Sequence, residues 1–424
     1  MSSAANGPSK SEAEDGPSKR ARLVRLGCIN VPRRSLATLL REVKTDGVPD
    51  ACSRSTIARA RHDTATTKTI YGPLVRTITI EAGDSREWNV EVQSPFSMFC
   101  HLAAHSSAFS SLLQRTSDKY PNAPETPWGI ILYTDGVSPT NPLRTGPDER
   151  AVDGVYWTVW EFDQAIHNEQ AWFVTAALRT ELVANLDGGM SNVVSAILRQ
   201  LFFNDSSHHF ATSGVRVVLK TSGATLVLFM RLKILIGDEK ALKEVLFIKG
   251  SSGQRPCAIC YNVYAHDHAL QLAQDSERTV LSIKSLEVSK MRQETDERFQ
   301  RQFTLLRNAR DRLSASEFAK LEIKLGIKYS MHALLAECFL FFGVVSCVVY
   351  DWMHVWLVPR GIFAVEVGKF MRDVKRIAVS AGLPQLTYAN IDAYLSKWTW
   401  PRSVASAGNL CTAKHAASHE KNEI

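Results

Sequence analysis

From residue 71 to residue 256, short apolar runs with strand-like spacing are interleaved with stretches of helical periodicity. From Tyr71 to Val75 through Val90 to Val92 the chain alternates as strands do, and Phe96 to Leu113 reads as one helix. Trp128-Gly129-Ile130-Ile131-Leu132-Tyr133-Thr134 predicts a strand that ends on Asp135, and Tyr156 to Phe162 predicts the next one. Met190 to Phe203 has amphipathic helical spacing. Val215 to Lys220, the turn Thr221-Ser222-Gly223 and Leu226 to Ile236 predict a hairpin that brings the chain to Asp238. Strands interleaved with helices in this way predict a mixed α/β layer structure.

The pattern changes after residue 276. A mixed-charge stretch from Glu277 to Arg298 reads as helical, and Ser314-Ala315-Ser316-Glu317 has the spacing of a capping box that opens another helix. Together they predict a helical insertion within the fold, either a solvated helix pair with no function of its own or a contact for a DNA backbone or a second copy of the chain. The longest apolar run, Cys338 to Tyr350, lies between Glu337 and Asp351. It is shorter than the roughly 20 residues that span a bilayer, so it predicts a buried strand, with the end of a helix before it as the further expectation, and no membrane partner.

The first twenty residues are Ser, Ala, Gly, Pro and charge, without apolar periodicity, and are expected to be disordered. Lys19-Arg20-Ala21-Arg22 follows; it has the character of a nuclear-localisation signal or of a plain solvated basic run. Ser35 to Val43, a turn at Asp46-Gly47-Val48-Pro49, and the basic stretch Ser53 to Arg61 outline helix, turn and helix. In a helix-turn-helix reader the second helix enters the major groove, which makes Arg54, Arg59 and Arg61 candidate DNA contacts; an ordinary surface hairpin is the alternative. The last segment, 403–424, is expected to be disordered.

Composition narrows the classes. The 424 residues are 45% hydrophobic, enough for a sizeable core and two or three domains. A net charge of +7 is compatible with a polyanionic partner. Eight scattered cysteines without dense spacing favour a reducing compartment over a secreted disulfide scaffold.

Two strands that each deliver a carboxylate at their end, Asp135 and Asp238, suggest phosphoryl transfer. A pair of divalent ions about 3.5–4 Å apart stabilises both the attacking and the leaving oxygen of an in-line displacement. Magnesium or manganese needs hard oxygen ligands, which rigid strand ends hold well. The structural alternatives are a turn-capping Asp135 and an N-capping Asp238. Lys240, Lys243 and Lys249 are candidates to neutralise phosphate. Cys257 and Cys260, spaced as C-x-x-C, make half of a zinc site; His266 and His268, or His354 or His332, could complete it, while two free thiols are the alternative.

The ordered blocks Leu132 to Pro139, Asp238 with Cys257-x-x-Cys260, and Tyr350-Asp351-Trp352-Met353-His354 resemble those of CACTA (En/Spm-like) and Plavaka-type DNA transposases, over roughly residues 128–370. The resemblance implies a ribonuclease-H-like mixed sheet with helices and a helical insertion carrying the C-x-x-C knuckle. It also implies an Asp/Asp/acidic site that cleaves and transfers DNA strands, with transposon ends as partner; the basic cluster Lys19 to Arg22 points to a nuclear location, and a second copy of the chain, in a homo-oligomer, is a further candidate partner. The third acid is assigned to Glu366, with Asp351 as the alternative. The expected map is a basic tail (1–22), a helical DNA-binding segment (23–68), the first part of the core (69–256), the knuckle and insertion (257–330), the last part of the core (331–402) and a tail (403–424). A transposon-derived scaffold without activity is the competing reading.

Overall fold

The computed structural model describes residues 54–82, 86–137, 151–204, 208–265, 281–282, 288–337, 343–351 and scattered positions between 369 and 382. The chain forms two units, Met1–Ala65 and Thr66–Ile424. In the first, helix α1 (Arg54–Thr66) matches the predicted basic helix and runs on to Thr66. Its expected partner helix lies outside the described residues.

The second unit begins with an antiparallel hairpin of β1 (Val75–Glu81) and β2 (Glu87–Gln93). Two helices follow, α2 (Pro95–His105) and α3 (Ser107–Lys119), where the periodicity predicted one. Ser106 divides them. Its backbone N–H donates to the Leu102 carbonyl and closes α2, while its hydroxyl accepts from the Phe109 N–H at 3.2 Å and opens α3. The chain then lays down β3 (Trp128–Val137), β4 (Val152–Val159) and β5 (Phe173–Arg179). The strand expected from Tyr156 to Phe162 stops at Val159. Beyond it the Glu161 carboxylate turns back to accept from the Gly129 N–H at 2.8 Å, and the chain coils into a 3-10 turn.

Helix α4 (Gly189–Ile197) occupies the predicted amphipathic stretch. The next hairpin, β6 (Val215–Val218) with β7 (Thr225–Leu228), is shorter than expected, because β8 (Met230–Gly237) leaves it for another sheet. The Asn122 side chain sets the break. It accepts from the Phe229 N–H at 2.7 Å and donates to the Phe229 carbonyl at 2.8 Å. Helix α5 (Glu239–Val245) follows, then α6 (Asp296–Ala309) and α7 (Ala315–Leu325). The apolar run from Cys338 ends as a helical turn, α8 (Val344–Cys347), and a short strand, β9 (Val348–Tyr350), the order expected of it. Asp296 pulls that turn into helix by accepting from the Val345 N–H at 2.6 Å and the Ser346 hydroxyl at 2.7 Å.

The central sheet has the order β9-β8-β3-β4-β5. β3, β4 and β5 are antiparallel neighbours, whereas β8 runs parallel to both β3 and β9. Fold class is therefore mixed α/β, as expected. The two faces of this sheet differ. Leu132, Trp157, Phe173, Leu235 and Val348 point to one side and are buried; Trp157 stacks on Phe99 of α2 at 5.3 Å. Tyr133, Tyr156, Val174, Ile236 and Val349 point to the other and are half-buried or exposed.

Of the mixed-charge stretch expected to be helical from Glu277, residues 277–280 and 283–287 lie outside the described residues; Leu281–Ser282 form a short strand, Val288–Lys290 a 3-10 turn, and α6 begins at Asp296. The Asn262 side chain donates to the Lys290 carbonyl and accepts from the Arg292 N–H, drawing that strip alongside residues 259–262 instead. α6 and α7 then form the predicted helical pair, with both bonds of the Ser314/Glu317 capping box present. Phe299, Phe303 and Leu306 bury one side of α6. At its base Glu294, fully buried, is bonded by Arg255, Gln302 and Arg298.

Gly326 ends α7 at φ +72°, and a Cβ there would collide with the Arg255 carbonyl oxygen. Gly326→Ala is expected to lower unfolding stability by about 1–3 kcal/mol. The readout is a lower urea midpoint at unchanged slope; a midpoint equal to the parent's would refute this account of the contact.

Candidate functional site

Register brings three carboxylates to one edge. Tyr133 of β3 lies opposite Ile236 of β8, and Gly237 of β8 lies opposite Tyr350 of β9. Asp135 is two residues past Tyr133, and Asp238 two past Ile236. Asp351 is one past Tyr350 and donates its N–H to the Gly237 carbonyl at 2.9 Å. All three therefore sit at the C-terminal ends of neighbouring parallel strands. Because side chains alternate along a strand, Asp135 shares the face of Tyr133, and Asp351 that of Val349. That face opens into a cavity of about 550 Å³, floored by Tyr133, Tyr156 and Trp172 and rimmed by Asp135, Asp351 and Glu169.

The Tyr133 phenol registers the whole cluster. Burial pushes its pKa well above the usual range, and the adjacent Asp135 adds both charge and a hydrogen bond to its carboxylate; Asp351 and Asp238 contribute further charge. Tyr156 is raised by burial and then by Asp135. The carboxylates are already engaged. Asp135 accepts from Tyr133, and Asp238 Oδ1 accepts from the Ala241 N–H at 2.6 Å, capping α5. Among the described residues no three His, Cys, Asp or Glu side chains converge as a metal-binding group.

A second acidic group lies behind the first. Asp153 sits opposite Gly136, on the other side of β4 from Tyr156. Burial raises its pKa, while a bond to Thr180 and the Lys240 charge pull it down. Glu244 is raised by burial as well, against the pull of Lys240, 3.8 Å away. Of the candidate phosphate ligands, Lys240 thus faces this acidic pair, and Lys249 is held by Glu322 at 3.0 Å with little exposure. Lys243 is half-buried, packed against Gly250.

The two cysteines stand beside the same edge. The Ile259 N–H donates to Cys257 Sγ at 3.3 Å, and Tyr350 bonds Cys257. Burial and the neighbouring Cys257 push the Cys260 thiol up. His266, His268, His354 and Glu366 lie outside the described residues. His332 pairs with Glu81 through Nδ1 at 2.9 Å. Arg54, Arg59 and Arg61 all lie on α1, and Arg59 is exposed. Among the described residues no helix is long and apolar enough to cross a membrane.

Sequence reasoning passed over Tyr133, Tyr156, Trp172 and Asp153. The signal for the two tyrosines was present: each places a phenol within a strand of largely apolar residues.

Asp238→Ala is expected to cost about 1 kcal/mol of stability, and Asp238→Ser, which keeps a capping oxygen, to stay within about 0.5 kcal/mol of the parent. Urea unfolding decides it, and equal losses in both would remove the capping role. Asp153 gives a pH signature. Its folded pKa lies above the unfolded one, so the stability it contributes is present at low pH and is lost as pH rises through the folded value. Thermal melts of Asp153→Asn should therefore gain on the parent between pH 4 and pH 7; a constant difference would show that the carboxyl is not desolvated.

Compared with protein-family models and with curated proteins, the chain matches none of either.

Proposed function

We propose that the chain is a transposase-like polynucleotidyl transferase that cleaves and joins DNA strands with magnesium or manganese. The observation that carries this reading is the placement of Asp135, Asp238 and Asp351 at the ends of three adjacent parallel strands, in a sheet whose other two strands run antiparallel. That strand order and orientation fit a ribonuclease-H-like core, in which the helical pair α6 and α7 is the insertion. Hard carboxylate oxygens suit a divalent cation in kind. The cap does not exhaust Asp238, because an ionised carboxylate accepts at both oxygens and only Oδ1 is bonded to Ala241. A bound cation would supply Lewis-acid stabilisation of the phosphoryl oxygens. The protein's own part is to fix Asp135 through the Tyr133 phenol and Asp351 through its backbone bond to Gly237. Glu366 remains the proposed third acid, with Asp351 the alternative. Cys257 and Cys260 are proposed as thiolate ligands of zinc, a reading supported by the N–H···S bond at Cys257.

A second reading draws on a different observation. Both Asp135 and Asp238 already serve the fold, one bonded to Tyr133 and the other capping α5. A chain kept only as a DNA-binding scaffold would retain them for that reason alone.

The test is nicking of labelled duplex DNA by the purified chain in magnesium or manganese, beside Asp135→Asn, Asp238→Ser and Asp351→Asn. The expected outcome is metal-dependent nicking reduced at least about 100-fold in the first two variants, with melting temperatures near the parent's. If Asp351 is the third acid, its variant loses as much; if it retains activity, Glu366 takes that place. Nicking that survives in the Asp135 and Asp238 variants would sink the enzymatic reading.

A further inference from the structure

We infer that the outer surface of the α6–α7 hairpin is a contact surface for the phosphate backbone of duplex nucleic acid. The inference rests on the reading of DNA as substrate, but it concerns a different part of the molecule. Arg301, Arg307, Arg312, Lys320 and Lys324 are all exposed on these two helices and the turn between them. Among the described residues none of the five is engaged in a salt bridge, whereas the cations at the hairpin's base are: Arg255 and Arg298 with Glu294, and Lys249 with Glu322. The exposed acids nearby are fewer. Glu317 is spent on the Ser314 cap, which leaves Glu297 and Asp311. Lys320 and Lys324 stand one helical turn apart, a like-charge pair that weakens an isolated helix slightly. Nothing in the packing requires that arrangement, since α7 buries no residue fully.

Rigidity distinguishes this surface from a loose basic tail. Phe299, Phe303 and Leu306 root α6 in the core, and the Glu294 cluster with Asp296 ties its first turn to Arg255 and to the segment leading into β9. A 14-residue helix is about 21 Å long, so cations from Arg301 to the turn follow a duplex for several phosphates, which are spaced about 1.7 Å per charge along the axis. The hairpin is thereby fixed relative to Asp351 and holds the duplex while the carboxylate edge acts on it. Contacts to phosphate alone carry no sequence information, so the surface serves affinity and register rather than site choice.

The experiment is fluorescence anisotropy of the full chain with labelled 30-base-pair duplexes of two unrelated sequences, across a sodium chloride series without divalent metal. The parent is compared with R301Q/R307Q/R312Q/K320Q/K324Q and with a control, R115Q/R216Q/R231Q, that removes exposed charge elsewhere. The hairpin variant is expected to bind both duplexes at least about 10-fold more weakly at 0.1 M salt, with a log K against log salt slope shallower by about 3–4. The control should change the slope by less than about 1. An unchanged slope, or an equal loss in the control, overturns the inference. So does preferential loss of binding to polyglutamate, which would mark the surface as a protein contact. Asp135→Asn is included in the binding series. Normal binding by that variant, with weak binding by the hairpin variant, separates the failure of either proposal from the other.

Discussion

The parallel pairing of β8 with a neighbour on each side is the constraint on which the rest of this structure depends. Parallel strands cannot be joined by a tight turn, so each of these pairings needs a long crossover. The chain spends residues 138–229 to bring β8 back beside β3, and residues 238–347 to bring β9 back beside β8. Those excursions supply β4 to β7, α4, α5, the hairpin of α6 and α7, and α8, whereas α1 to α3 and the β1–β2 hairpin precede them. The register they achieve is closely specified. A slip of one residue in β8 would move Leu232 and Leu235 out of the core and place Ile234 and Ile236 inside it, and it would turn Asp238 to the opposite face.

The second excursion is held by buried charge. Glu294 accepts from Arg255, which comes before the C-x-x-C segment, and from Gln302 and Arg298 on α6, so one carboxylate closes a loop of about forty residues. Removing one partner of such a cluster leaves an uncompensated charge in a dry site, at a cost of about 3–5 kcal/mol. Arg255 keeps one buried N–H, at Nε, without a partner, so the cluster is tightly drawn but not fully satisfied. Asp296 then hands the same rigidity on to α8 and β9 through its bonds to Val345 and Ser346.

How much of this was legible in the sequence follows from what each feature depends on. β3 was legible because the apolar run Trp128 to Leu132 leads to an acid, and β8 because Ile234-Leu235-Ile236 does the same, although Arg231 and Lys233 give its first half the alternation of a half-exposed strand. The capping box at Ser314 and Glu317 was legible because its chemistry is local. The break at Ser106 was hidden, since Phe96 to Leu113 keeps helical spacing across it and a single serine performs both caps. The departure of β8 from its hairpin was also hidden, because Asn122 dictates it from more than a hundred residues away. The placement of Asp351 was legible in part, since it ends an apolar run that reads as a strand. It depends on whether the run before it ends as strand or helix, and that is decided by Asp296 in another part of the chain.

Asp238 brings together the two demands on this edge. The Ala241 N–H that Asp238 accepts from fixes the rotamer of the carboxylate at the start of α5. A fixed rotamer is also what a metal ligand needs, so the cap and the proposed ligand role make the same demand on this side chain. Asp135 is treated in the opposite way: its partner is a phenol in a half-buried aromatic floor, and a bond from Tyr133 spreads the carboxylate's charge. Two acids on adjacent strands are thus held by different means, one by backbone and one by side chain.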